Sequence, residues 1–295
     1  MLLRHIRYLL AVVEQGNFTR AAETLHVSQP TLSQQIRQLE ETLGAQLLDR
    51  SGRVVRATDA GEAYIAYARR ALRELDAGQR AIHDVRDLAR GTLRLAMTPS
   101  LTSYLAGPLI ARFNASYPGI TLQVIEKTLD AIEAALAADQ VDLGLAFSQV
   151  RSAEISSQPL FDEKLCAVVG LAHPLAQRPA ATLSAGELGR QSLALLSSDF
   201  ATRSFVDAYL QQQGIAPRIA VEANTISAIV EIVRRGGLVT ILPEAIAREH
   251  PGLQEIQLDP ALPHRTVSLL RRKDGYQSAA ARAFAELAGN LAAAE

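Results

Sequence analysis

The sequence predicts an α+β multidomain protein: a helical first third, one long connecting helix, and an α/β remainder. Three observations lead there. The chain has 295 residues, or about two domains at roughly 150 residues each. No proline falls between Pro30 and Pro99, and up to about position 90 the apolar residues recur at helical spacing. From Gly91 onward, short β-type runs alternate with helical stretches, the rhythm of an α/β domain with a largely parallel sheet.

Composition excludes several classes. Apolar residues at 48% and charged residues at 21% lie near globular averages, against a disordered or coiled-coil-only chain. No apolar run approaches the ~18 residues that span a bilayer, and Met1-Leu2-Leu3-Arg4-His5 lacks the features of a signal peptide. A cytoplasmic protein with no membrane partner is expected. Cys166 is the only cysteine, which excludes an intrachain disulfide and a Cys-rich metal site, and it reads as a small buried hydrophobe. No cofactor or metal is expected. The net charge of −1 excludes a uniformly basic nucleic-acid binder. Through residue 60, seven arginines stand against six acids, and the first lysine is Lys127. The early cations are therefore all arginine, which pairs in bidentate fashion with phosphate or guanine.

The first helix carries the stripe Ile6, Leu9, Leu10 and Val13 and ends near Gly16. A short second helix follows, capped by Asn17 or Thr19, with Ala21 and Ala22 small enough for close helix crossing. Ser28 caps a third helix, Pro30 occupies its first turn, and Gly44 stops it. Leu32, Ile36, Leu39 and Leu43 form its inward stripe. Gln29, Pro30, Thr31, Ser33, Gln34 and Arg37 remain on the outward face, and such side chains suit base edges and phosphates in a major groove. This pattern is a helix-turn-helix. Residues 47–57 predict a two-stranded wing whose Arg50, Arg53 and Arg56 flank Ser51-Gly52 and can reach a nucleic-acid backbone or minor groove. The pair Glu40-Glu41 is expected on a solvated helix face.

Thr58 or Asp59 opens a long helix to about Leu88. Tyr64, Ala68, Ala71, Leu75, Gly78, Ile82, Val85 and Ala89 step by four and three, a heptad seam with small residues at several core places. It predicts a partner helix at close range, hence a dimer.

In the second half, strands are expected at 92–97, 120–126, 141–147, 165–171, 193–196, 219–222, 238–242 and 266–270. Three strand-to-helix junctions carry hydroxyl or amide groups: Thr98-Pro99-Ser100 with Thr102, Ser197-Ser198 with Phe200, Ala201 and Thr202, and Asn224-Thr225 with Ser227. Thr128 is a fourth candidate. Helix amino termini beyond strand carboxyl ends favour an anion, with Arg203 as a supporting cation. Each of these residues has helix capping as its alternative role. Phe147 reads as core or cleft wall. The histidines are scattered without metal-protease spacing, and nucleophile-elbow and phosphate-loop motifs are missing, so no catalytic residue is expected. An enzyme or a solute-binding receptor using the second-half cleft is the reading from another class.

The segments Phe18-Thr19-Arg20-Ala21-Ala22, Leu25-His26-Val27-Ser28-Gln29-Pro30-Thr31-Leu32-Ser33-Gln34-Gln35-Ile36, Leu39-Glu40, Leu43-Gly44, Leu47-Leu48-Asp49-Arg50 and Thr58-Asp59-Ala60-Gly61 resemble the amino-terminal region of LysR-type transcriptional regulators. Leu48 stands where that family usually has Phe. The resemblance covers the whole chain. It implies a winged helix-turn-helix DNA-binding domain over residues 1–58 and a dimerising linker helix over 59–90. Residues 91–295 are then an effector domain with a fold like that of periplasmic binding proteins. Its subdomain I is 91–161 with 267–295, and its subdomain II is 162–266. Double-stranded operator DNA is the implied partner, with self-assembly to a dimer and a tetramer and RNA polymerase as a further contact. The candidate effector residues, read from the strand ends above, are Thr98, Ser100, Thr128, Phe200, Thr202, Asn224 and Ser227. More narrowly, residues 33–41, 80–85, 200–203, 222–224 and 270–273 look like those of cyanate-responsive members. That implies an activator responding to a small anion such as cyanate, an organic acid being the alternative.

Overall fold

The computed structural model describes residues 3–84, 90–178 and 182–292. The chain divides into two compact units, Met1–His83 and Asp84–Glu295.

The first unit contains α1 (Leu3–Gln15), α2 (Phe18–Thr24), α3 (Gln29–Leu43), β1 (Leu48–Asp49), β2 (Arg56–Ala57) and α4 (Asp59–Asp84). Local chemistry sets the boundaries. Gly16, at φ +58°, turns the chain after α1. Asn17 then caps α2, its side chain accepting from the Thr19 and Arg20 amides at 2.8 and 3.1 Å. Ser28 caps α3 by accepting from the Thr31 amide at 3.3 Å. Gly44, at φ +67°, ends α3 in the left-handed conformation that glycine adopts without strain. Leu9, Leu32, Ile36 and Leu39 are fully buried, joined by Leu47, Leu48 and Ile65. Each such side chain contributes roughly 1.5–3 kcal/mol of apolar burial.

The wing is the antiparallel pair β1–β2, with Leu48 opposite Ala57 and Asp49 opposite Arg56. Thr58 opens α4: its hydroxyl accepts from the Gly61 amide at 3.0 Å and donates to the Gln46 carbonyl at 2.7 Å. Gly61 permits this junction, because a Cβ there would lie 2.0 Å from the Leu47 carbonyl oxygen. Along the predicted seam Ala68 is buried and Tyr64 half-buried, while Ala71, Leu75, Gly78 and Ile82 are exposed. Ile82 is 71% exposed. Val85 and Ala89 lie outside the described residues.

The second unit runs β3 (Gly91–Met97), α5 (Pro99–Thr102), α6 (Ala106–Ser116), β4 (Ile120–Glu126), α7 (Leu129–Ala137), β5 (Leu143–Phe147), β6 (Ile155–Glu163), β7 (Leu165–Gly170), a 3-10 turn at Pro174–Gln177, β8 (Thr182–Ser184), α8 (Ala185–Leu188), β9 (Ser192–Leu196), α9 (Ala201–Gln212), β10 (Arg218–Ala223), α10 (Ile226–Arg235), β11 (Thr240–Pro243), α11 (Glu244–Glu249), β12 (Leu253–Asp259), β13 (Arg265–Arg272) and α12 (Ala279–Ala292). One sheet has the order β4-β3-β5-β13-β6, and a second the order β11-β7-β12-β8. A bridge between Leu193 and Val239 attaches the β9–β10 pair to the second sheet. The first sheet packs Leu93, Leu95, Met97, Leu143 and Leu145 with Phe113 of α6 and Phe284 of α12, whose rings meet edge-on at 5.3 Å. A separate core gathers Leu165, Ala167, Val169, Leu193, Leu195, Val206 and Leu210.

The chain passes from the first sheet to the second at Lys164 and returns over residues 260–264. Both crossings differ by about two residues from the expected boundaries, because β6 and β13 stay paired to their ends, Glu163 opposite Arg265. The expectation of a largely parallel sheet is also corrected. β3 pairs parallel with β4 and β5, but β13 runs antiparallel to β5 and β6, and β7 antiparallel to β11 and β12. β6, β8 and β12 had no counterpart among the expected strands. β6 is a polar edge strand with Pro159 at a register shift, where a missing amide donor is tolerated and hydrophobic alternation is weak. Among the described residues no helix is long and apolar enough to cross a membrane.

Candidate functional site

Two regions bring the chemistry-bearing side chains together. In the first unit, α3 has two faces. Leu32, Ile36 and Leu39 are buried, while Gln29, Pro30, Thr31, Gln34 and Arg37 are exposed and Ser33 is half-buried. Heptad-like spacing of the leucine and isoleucine stripe forces this separation. The outer face therefore offers two amides, hydroxyls and one guanidinium in a single row, a set that can donate to and accept from base edges and phosphates.

The wing departs from expectation at one arginine. Arg53 and Arg56 are exposed, but Arg50 turns inward: its Nη2 donates to Glu40 Oε2 at 2.7 Å, and its guanidinium lies 5.2 Å from the centre of the Phe18 ring. Glu40 is correspondingly not on a solvated face. Its Oε1 accepts from the Leu47 and Leu48 amides at 2.9 and 3.1 Å, so one carboxylate ties the wing to the end of α3. Two backbone donors otherwise left without acceptors draw it inward. Glu41 is exposed, as expected.

In the second unit a cavity of about 490 Å³ opens at strand carboxyl ends of both sheets. Thr98, Ser100, Thr128, Phe200 and Thr202 line it. Thr98, Ser100 and Thr202 are each at most 3% exposed. Capping and ligand roles separate here. Thr128 caps α7 by accepting from the Ala131 amide at 3.4 Å. Thr98 precedes α5 without a side-chain capping bond, and its Oγ1 is buried with no hydrogen-bond partner among the described residues. A buried hydroxyl without a partner is costly, and it belongs to a residue that lines the cavity.

Asn224 and Ser227 are not among the cavity-lining residues. β10 is the outer strand of its pair, and Thr225 at its end caps α10 through the Ala228 amide at 3.3 Å. Arg203 does not serve the cavity either. Its Nε donates to Asp207 Oδ1 at 2.8 Å and its Nη1 to Leu196 O and Glu222 Oε2, each at 2.7 Å. Ser198, from the second of the three expected junctions, also lines the cavity, while Gln149, Arg151 and Phe205 line it and were not anticipated in that role. Gln149 and Arg151 follow β5, and no helix starts there, so a search for capped helix starts passes them by. Glu133, 6% exposed, holds that loop by accepting from the Ser152 amide at 2.7 Å and the Arg151 amide at 3.1 Å.

Comparison with known proteins agrees with this geometry. The model of the bacterial regulatory helix-turn-helix protein, lysR family, matches residues 3–62, and that of the LysR substrate binding domain matches residues 86–293. A probable RuBisCO transcriptional regulator of Synechocystis sp. is 31% identical over 293 residues, covering 96% of this chain and 84% of the relative. A full-length OxyR variant from Pseudomonas aeruginosa superposes with a TM-score of 0.70 at 26% identity, covering 99% of this chain and 94% of that one. Full-length CbnR solved in complex with its target DNA gives a TM-score of 0.58 at 26% identity, covering 99% and 100%. The chain belongs to the LysR family of DNA-binding transcriptional regulators.

Proposed function

We propose that this regulator reads operator DNA with Gln29, Pro30, Thr31, Ser33, Gln34 and Arg37 of α3 in the major groove. Arg53 contacts the flanking backbone, and Arg50 acts with Glu40 to hold the wing in place. The carrying observation is the split of α3 into a buried leucine–isoleucine side and an exposed polar side. Arg37→Ala or Gln29→Ala should weaken operator binding in an anisotropy titration while the fold and effector binding persist. Unchanged affinity would refute the assignment.

Two copies join along the exposed seam of α4, giving a dimer and, by pairing of dimers, a tetramer that acts in the cytoplasm. The cleft then holds a small anionic effector on Thr98, Ser100, Thr128, Phe200 and Thr202. Unequal affinity for two cleft arrangements would shift the spacing of paired reading heads on DNA, an activating response at its promoter. A small organic acid fits better than cyanate. The cavity of about 490 Å³ is many times the roughly 30 Å³ of one water, so a triatomic anion would leave most of it filled by solvent. The relatives reported above lend cyanate no support. Thiol oxidation is not the proposed signal, because burial, followed by the Glu255 and Glu244 carboxylates, pushes the Cys166 thiol up to about 12.

A further inference from the structure

Arg265 is the first residue of β13, at the return crossing between the two sheets, and it is 7% exposed. Its Nε pairs with Oε2 of Glu163, the last residue of β6. The other oxygen of Glu163 accepts from the Tyr104 hydroxyl at 2.7 Å. The Phe147 ring lies against the guanidinium at 3.8 Å, and the Phe205 ring lies 6.0 Å away. Nη1 and Nη2 are both buried and donate no hydrogen bond among the described residues.

Removing a guanidinium from water is compensated only when its donors find acceptors. Glu163 satisfies the Nε side alone. What remains is the Nη1–Nη2 edge, whose spacing matches an acceptor with two oxygens in one plane. Phe205 also lines the cleft cavity, so the same ring borders both the cavity and the unsatisfied cation. Thr98, which also lines the cavity, has an Oγ1 that is likewise buried and unpartnered among the described residues.

Building on the cleft reading above, we propose that Arg265 is the charge-recognising residue of the effector site, and that its ligand is a small carboxylate-type anion that reaches Nη1 and Nη2 when the Phe205 ring turns aside. Two coplanar oxygens distinguish this class from a linear anion such as cyanate, which presents one acceptor at each end. Arg265 and Glu163 terminate the strands at the two crossings. An anion bound there would therefore bear on both connections between the sheets at once, giving effector binding a direct route to their relative arrangement.

Titration calorimetry on the full chain with acetate, benzoate, bicarbonate and cyanate tests this. The wild type should bind a two-oxygen anion more tightly than cyanate. Arg265→Lys, which keeps the charge and loses the fork, should weaken that binding on the order of tenfold. The double variant Glu163→Gln with Arg265→Met, which leaves no buried charge unpaired, should weaken it further while retaining the wild-type circular dichroism spectrum. Thr202→Val serves as the cleft control. Two-oxygen anions binding equally to wild type and Arg265→Lys, while Thr202→Val loses them, would overturn the Arg265 assignment and leave the cleft reading intact. Cyanate binding more tightly than every two-oxygen anion would also overturn it. Failure of every anion to bind the wild type would overturn both.

Discussion

Replacing Glu40 by alanine should detach the wing from the end of α3 and weaken DNA binding. The Glu40 side chain is 11% exposed and accepts from the Leu47 amide at 2.9 Å, the Leu48 amide at 3.1 Å and Arg50 Nη2 at 2.7 Å. Losing a buried acceptor costs about 1–3 kcal/mol per donor left unmade, and water entering the vacated space offsets part of that. The Arg50 side chain is 30% exposed and regains solvent, so its ion pair adds only ~0–1 kcal/mol. The sum is about 2–4 kcal/mol, borne locally by the wing. Hydrogen exchange at the Leu47 and Leu48 amides reports this opening directly. At 1.4 kcal/mol per factor of ten, protection should fall roughly 30- to 700-fold. Glu40→Gln keeps one oxygen for the amides and should lose much less. Operator affinity, followed by anisotropy on a duplex selected from randomised sequence, should fall in the same order. Unaltered exchange at both amides in Glu40→Ala would refute the reasoning.

Two further outcomes follow from the second unit. Thr98→Val removes a buried hydroxyl that makes no hydrogen bond among the described residues, so the thermal midpoint should hold or rise, by about 0–1 kcal/mol equivalent, while anion binding weakens; a clear loss of stability would show that the hydroxyl is structural. Glu187 is held down to about 2 by the Ser184 backbone amide, the Arg178 guanidinium and the Ser184 hydroxyl. Its folded value lies below its ordinary 4.5, so the unfolded chain binds the extra proton and stability falls with acid. The contribution is complete above about pH 4.5 and fades as pH drops toward 2, and Glu187→Gln should flatten the thermal midpoint over that window. Parallel pH profiles for the two proteins would contradict the assignment.

Much of the first unit was legible in sequence because its determinants are local. Asn17, Ser28, Gly44 and Thr58 act on neighbours within a few positions, and the 3.6-residue period alone fixes which side of α3 is buried. Arg50 escaped that reading, since its partner Glu40 lies ten positions away and a charge pair at an ordinary surface spacing reads as solvated. In the second unit the strand-end rule found Thr98, Ser100, Thr128, Phe200 and Thr202 but also named Asn224 and Ser227, which line no part of the cavity. The rule identifies strand ends; it does not say which strand is outermost.

Sequence by itself determined the Ser28 and Gly44 caps, the amphipathic faces and the family, because these depend on hydrogen bonds and spacing within a turn or two of helix. Only the tertiary structure decided that β6 runs antiparallel to β13 and β12 antiparallel to β7, that Arg203 is occupied by Glu222 and Asp207, and that Arg265 meets Glu163 across 102 positions of chain. Contacts at that separation arise from strand order and pairing. No local pattern encodes which two distant strand ends will share a buried charge.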